Sequence, residues 1–222
     1  EIIPALRDIT DAVHKEGAAV GIQLGHCGNM THWSTAGSFP VSASNGFNLY
    51  SPTFHRRMTK AEIWEFAKDF GKAVEVAYNS GFDSVEVHAG HGYLISQFLS
   101  PYTNHRRDEY GGSLENRMRF MDMCLEEVLA VARKRGMGVL VKHNMEDGFK
   151  GGVQIPESIE IAKRIESFGV DGIVLSSGFV SKAPMAVMRG RIPTKTMGYY
   201  MGWNEWLQKI VVSLFGQWFG VA

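Results

Sequence analysis

Apolar positions along the chain fall into two alternating rhythms. Short runs of branched apolar residues occur in "AAVGIQLGH" (18–26), "GFDSVEVHAG" (81–90), "GMGVLVKHN" (136–144) and "GVDGIVLSSG" (169–178), and they predict strands buried on both faces. Between these runs the apolar period lengthens to that of a helix. In "TKAEIWEFAKDFGKAVEVAYNSG" (59–81), Ile63, Phe66, Ala67, Phe70, Val74 and Ala77 share one face, Thr59 and Glu62 make a capping box, and Gly81 ends the element. "SLENRMRFMDMCLEEVLAVARKRG" (113–136) and "PESIEIAKRIESFG" (156–169) repeat this design, the second with Pro156 in its first turn and Gly169 as C-cap. The opening "EIIPALRDITDAVHKEG" reads as a helix already in progress.

Two of the strand segments share a pattern of Gly, an apolar residue, Asp, a small residue, alternating branched apolars and a closing Gly. Gly81 and Gly169 are 88 positions apart, the length of about two strand-plus-helix units of roughly 40 residues each. Strict alternation of β and α elements predicts a parallel sheet with right-handed crossovers, doubly wound or closed as a barrel. No G-x-G-x-x-G follows a strand; long polar loops at 25–58, 89–112 and 177–201 follow the strand ends instead, as in a (β/α)8 barrel with its site at the C-terminal face. A closed barrel needs eight strands. The expected fold is therefore α/β, a partial (β/α)8 TIM barrel forming one domain over 1–222, with about four central βα units and with N- and C-terminal strands missing.

Composition bears on partners more than on fold. Lys plus Arg and Asp plus Glu are balanced at 23 each, so no net field draws nucleic acid or an anionic membrane surface. Cys27 and Cys124 are too few for a disulfide framework or an iron–sulfur cluster and point to a reducing, cytoplasmic setting. No uninterrupted apolar run reaches the roughly 18 residues of a transmembrane helix, so none is expected. Over 199–222, Trp203, Leu207, Ile210, Leu214 and Trp218 form an apolar stripe, with Lys209 as the cation of the polar face. A helix is expected there after the last strand, lying on a membrane surface, packing against further protein, or making a subunit contact in a homo-oligomer.

Candidate chemistry gathers in "HAGHGYLISQFLSP" (88–101). If Val85 and Val87 point one way, Glu86 and His88 point the other; His88 then stands at the strand tip, with His91 and Tyr93 on the turn that leaves it. Two neutral imidazoles can each donate an N–H to a ligand carbonyl and so polarise a conjugated C=C, while a phenol with pKa near ~10 can deliver a proton to the neighbouring carbon. His26, His88 and His91 also admit a metal reading, that of a metal-dependent hydrolase, although no acidic residue at helical spacing completes a zinc signature. A third reading makes them satisfied polar residues at a strand-to-loop junction.

Gln23, inside an apolar strand, is expected as a buried amide that must find partners. Lys142 in "VLVKH" is expected to bury its stem in a strand, with an anionic or electron-rich ligand settling its charge. His26 and Cys27 on the loop after the first strand are placed as pocket-lining residues, Cys27 as a filler. The dense charges of "NHRRDEYGGSLENRMRF" (104–120) read as a structural ion-pair network outside the site.

"IQLGHCG", "VEVHAGHGYLISQFLSPYTNHRRDEYGGSLENRMRF" and "VLVKHNMEDG" resemble, in order and across essentially the whole chain, the Old Yellow Enzyme family of FMN-dependent NADH:flavin oxidoreductases and ene-reductases. The resemblance implies FMN as cofactor, NADH or NADPH as reductant, and a small-molecule acceptor with an activated C=C bond such as an enone, enoate or dienoyl thioester. It further implies that Gln23 meets the flavin pyrimidine edge and that Lys142 stands near the flavin N1/O2 edge, where many members carry arginine. His88 and His91 would hold the substrate carbonyl, and Tyr93 would donate the proton in a ping-pong scheme. The family's opening flavin-contacting strand and its phosphate-gripping last strands have no counterpart in 1–222. Losing several charge-assisted bonds of about 1.5–3 kcal/mol each leads to the expectation that the chain binds FMN weakly or not at all. The alternative to an active oxidoreductase is then a truncated, non-catalytic fragment of one.

Overall fold

The computed structural model describes residues 2–183 and the single positions 187, 204, 206 and 209. Apart from those isolated positions, the helix expected over 199–222 lies outside the described residues. In chain order the elements are α1 (Ile2–Lys15), β1 (Gly21–Leu24), a 3-10 turn, α2 (Trp33–Ala36), β2 (Val41–Ser42), β3 (Gly46–Asn48), β4 (Thr53–Arg57) and α3 (Lys60–Asn79). There follow β5 (Ser84–Ala89), α4 (Leu94–Leu99), α5 (Leu114–Arg135), β6 (Gly138–Asn144), α6 (Ile155–Ser167) and β7 (Gly172–Ser176).

The four expected strands form one parallel sheet in the order β1-β5-β6-β7. Its two faces differ sharply. Val85, Val87, Val139 and Val141 are fully buried on the side covered by α3, α5 and α6, whereas Glu86, Leu140 and Lys142 on the other side are only half-buried. Alternation of side chains across the pleat makes this two-faced pattern. All the long crossover helices pack on one face, and among the described residues no long helix covers the other, as in a section cut from a parallel barrel.

Local signals behave as the helical period predicts. Thr59 and Glu62 exchange side-chain and backbone hydrogen bonds in a full capping box, and Ile63, Ala67, Phe70, Gly71, Val74 and Ala77 are the buried positions of α3, with Phe66 partly buried beside them. Gly136 caps α5 in the left-handed conformation, and a proline occupies the first turn of α6.

The recurring Asp has a structural explanation. Asp83 accepts the backbone N–H of Val20 at 2.7 Å and lies 2.9 Å from His14 Nε2, while Asp171 accepts the N–H of Val139 at 2.7 Å and the Arg133 guanidinium at 2.8 Å. In return the Asp83 and Asp171 amides donate to the carbonyls of Val20 and Val139 at 2.9 and 2.8 Å. Each Asp thus ties the start of its own strand to the start of a neighbouring strand and to the helix that leads into that neighbour. The repeat marks the N-terminal, stabilising end of the sheet.

The polar loop expected over 25–58 contains a second, three-stranded sheet in the order β2-β4-β3. Its strands are too short and too polar for hydrophobic periodicity to announce them. Arg106 locks it in place: the buried guanidinium donates to the carbonyls of Ala43 at 3.1 Å and Met58 at 2.8 Å, and pairs with Asp108 at 2.7 Å. Arg117, equally buried, bonds the Leu99 carbonyl and Glu157. The charge-dense segment 104–120 is a structural network, as expected.

Candidate active site

His88 ends the inward-facing row of β5 and is 6% exposed. Its ring centroid lies 5.0 Å from that of His91 and 4.9 Å from that of Tyr93, both edge-on, so the three groups named from the strand-to-loop spacing converge. His88 Nδ1 is buried without a hydrogen-bond partner. An unpaired buried nitrogen inside a polar cluster is the kind of exception that a ligand explains.

The turn carrying His91 is stiff. His91 has φ 60°, the single positive value for a non-glycine residue among the described residues, and Gly92 follows with φ 81°. Such a backbone costs of order 1–3 kcal/mol and persists where the surroundings impose it. Tyr93 then caps the N-terminus of α4, and its carbonyl accepts the N–H of Gln97 at 2.7 Å. Gln97, with no exposed surface, donates through its side chain to the Gly92 carbonyl at 2.6 Å and to Asn29 Oδ1 at 2.9 Å. The loop after β1 is thereby stitched to the turn that presents Tyr93.

Burial, helped by the neighbouring His91 and Lys142, pushes the His88 imidazole down to about 4; burial and Lys142 also lower His91. Burial raises the Tyr93 phenol. At neutral pH the cluster therefore offers two neutral imidazoles and a protonated phenol, hydrogen-bond donors without a nucleophile.

Behind this cluster lies a charged row that changes two expectations. Lys142 Nζ is 3.0 Å from Glu86 Oε1, so a carboxylate of the chain itself, two residues before His88 on the same face, balances the lysine. Gln23 is exposed rather than buried, because among the described residues β1 is an edge of the sheet and no long helix covers this face; its Nε2 donates to the same Glu86 oxygen. His26 departs furthest from expectation. Continuing the alternation beyond Leu24, it turns to the helix side, edge-on to Phe66 at 4.9 Å, with Nδ1 accepting the Gly28 N–H at 3.0 Å. It joins neither His88 nor His91, and the metal reading loses its third ligand; among the described residues no three His, Cys, Asp or Glu side chains gather as a metal site. Cys27 is exposed and close enough to Tyr93 to raise its pKa.

Sequence reasoning passed over Glu86, Asn144 and Ser176. Glu86 was visible as the acidic residue of "VEVH". Asn144 accepts the His91 N–H at 3.1 Å and Ser176 Oγ lies 2.6 Å from His91 Nε2; both stand at the C-terminal tips of their strands, the one positional signal available.

A parallel sheet with its helices on one face, and a donor-rich cluster at the C-terminal strand ends of the other, is the arrangement of a barrel-type enzyme, which carries its site at that end. The particular kind is set by comparison: a model of the NADH:flavin oxidoreductase / NADH oxidase family matches residues 1–207, and the chain belongs to that family. It is 39% identical over 189 residues to an NADPH dehydrogenase of Geobacillus thermodenitrificans, covering 85% of this chain and 54% of the relative. It is 35% identical over 192 residues to a 4,4'-dithiodibutanoate disulfide reductase of Rhodococcus erythropolis, covering 86% and 47%. Among solved structures, the Old Yellow Enzyme homologue of Zymomonas mobilis superposes with a TM-score of 0.72 at 30% identity, covering 88% of this chain and 57% of that one. The fold is thus part of an Old Yellow Enzyme barrel, and the chain spans about half the length of the relatives it matches.

Family membership implies FMN with NAD(P)H. The residues present fit the flavin. Lys142 supplies a cation and Gln23 an amide oxygen that takes no hydrogen bond among the described residues, both on the sheet face whose row in β5 His88 ends. Glu86 modifies that fit: it already takes donors from both residues, so the lysine charge reaches the face partly neutralised.

Proposed function

We propose that the chain carries the acceptor-reducing half of an NAD(P)H- and FMN-dependent oxidoreductase acting on activated C=C bonds in enones, enoates or dienoyl thioesters. One observation carries this reading: His88, His91 and Tyr93 converge at the strand tips, uncharged at neutral pH, on the face that also holds Gln23 and Lys142. FMN, when bound, supplies the hydride. His88 and His91 hold the ligand carbonyl oxygen and withdraw electron density from the conjugated carbon. Tyr93, fixed by Gln97 through the backbone of α4, holds a proton beside the carbon next to the carbonyl and gives it up as that carbon becomes basic. Gln23 and Lys142 orient the redox group, with Glu86 limiting how strongly the lysine favours an anionic state.

The test is reduction of 2-cyclohexenone by NADPH at saturating FMN, comparing the wild type with His88→Ala and His91→Ala. The expected outcome is a loss of about a hundredfold or more in kcat/KM in each variant, with NADPH still bleaching the flavin. Enone reduction unaffected by either substitution would overturn the proposal.

A further inference from the structure

Three contacts fix His91 from outside its own turn. Its N–H donates to Asn144 Oδ1 at 3.1 Å, its carbonyl accepts from the Val180 N–H at 3.0 Å, and its Nε2 lies 2.6 Å from Ser176 Oγ. Asn144 cannot turn its amide over, because Nδ2 donates to the Gly178 carbonyl at 2.7 Å and to Asp147 Oδ1 at 3.1 Å. A Cβ at Gly90 would stand 2.6 Å from Asn144 Oδ1, and one at Gly92 would stand 2.5 Å from the Phe179 ring. The backbone of His91 is therefore held by Asn144 at the end of β6 and by the segment after β7, and its ring meets Ser176 at the tip of β7.

A neutral imidazole has one N–H and one lone pair, and the nitrogen held by a fixed partner decides which faces the site. With Nε2 turned to Ser176, Nδ1 is the nitrogen left to meet a ligand. On the reading given under Proposed function, in which His91 donates to a ligand oxygen, we propose that Ser176 is a positioning residue: its hydroxyl donates to Nε2 and holds His91 in the Nδ1–H form. The opposite arrangement, with Nε2–H donating to the serine, would aim a lone pair at the ligand oxygen and repel it. Ser176 thereby restricts the site to ligands that present an acceptor, such as a carbonyl, carboxylate or phenolate oxygen, and disfavours those that present only N–H or O–H donors.

The test is direct in the ligand-free 222-residue chain. Histidine labelled with nitrogen-15 distinguishes protonated Nδ1 from protonated Nε2 by two-bond proton–nitrogen correlations at neutral pH. The expected result is an Nδ1–H pattern for His91 in the wild type and in Ser176→Thr, which keeps the hydroxyl, and its loss in Ser176→Ala with the other histidine signals unmoved. An Nε2–H pattern in the wild type, or an Nδ1–H pattern surviving in a folded Ser176→Ala, overturns the proposal. Enone reduction separates this inference from the reading beneath it. If His91→Ala abolishes reduction while Ser176→Ala leaves the tautomer unchanged, only the role of Ser176 falls. If His91→Ala reduces the enone like the wild type, the proposed function falls whatever the tautomer. With both intact, Ser176→Ala lowers kcat/KM about tenfold or more and Ser176→Thr recovers most of it.

Discussion

Lys142 and Glu86, on adjacent strands of the open sheet face, form an ion pair of 3.0 Å that also takes the amide of Gln23. Both side chains are about three-quarters or more shielded from solvent, at 25% and 18% exposure, so each charge needs the other. Glu86→Gln is expected to lower the free energy of unfolding by about 1–2 kcal/mol, between the ranges for surface and buried pairs. The double variant with Lys142→Met should regain part of that loss. Urea denaturation of the four members of this cycle checks it, and additive losses would show that the pair does not couple.

Tyr93→Phe removes the proposed proton donor and keeps the ring against His88. Enone turnover should fall by roughly 10²–10⁴, the usual span for general acid catalysis, while the rate of flavin reduction by NADPH stays unchanged. Stopped-flow measurement of the two half-reactions resolves this. Equal losses in both would mean that Tyr93 shapes the flavin site and does not deliver a proton.

Stability should fall on mild acidification. His88 and His143 are both pushed by burial from 6.5 down to about 4, His143 with its Nε2 at 2.9 Å from Ser158 Oγ. Between those values the unfolded chain takes up protons that the folded chain refuses. Their contribution is thus fully present above pH 6.5 and is lost as pH falls towards about 4, on the order of a few kcal/mol in total. Asp147, whose carboxyl burial raises, works in the opposite sense at the acid end. Urea midpoints between neutral pH and pH 5 should decline for the wild type and decline less for His143→Gln.

Arg106→Ala should detach the small sheet. The substitution leaves the carbonyls of Ala43 and Met58 and the carboxylate of Asp108 without their partner, a loss of about 3 kcal/mol or more. Hydrogen exchange should accelerate over β2 to β4 before it does over β5 and β6. Uniform acceleration across both sheets would indicate that the two unfold together.

Much of the architecture was already readable along the chain. The four strands, the capped helices between them and the reading of a partial parallel barrel follow from apolar periodicity and capping residues, which act locally and so leave their mark within a few positions; burial on both faces does not, since β1 and β7 leave Gln23 and Leu175 exposed. His88, His91 and Tyr93 were legible for the same reason: strand alternation and a short turn fix where they point. What tertiary structure alone decided are the pairings between strands far apart in sequence. Glu86 meets Lys142 and Gln23 only through the parallel register, His26 meets Phe66 only because α3 packs on that face of the sheet, and Ser176 reaches His91 across 85 positions. Registers of this kind come from packing of the whole sheet, which no local stretch encodes.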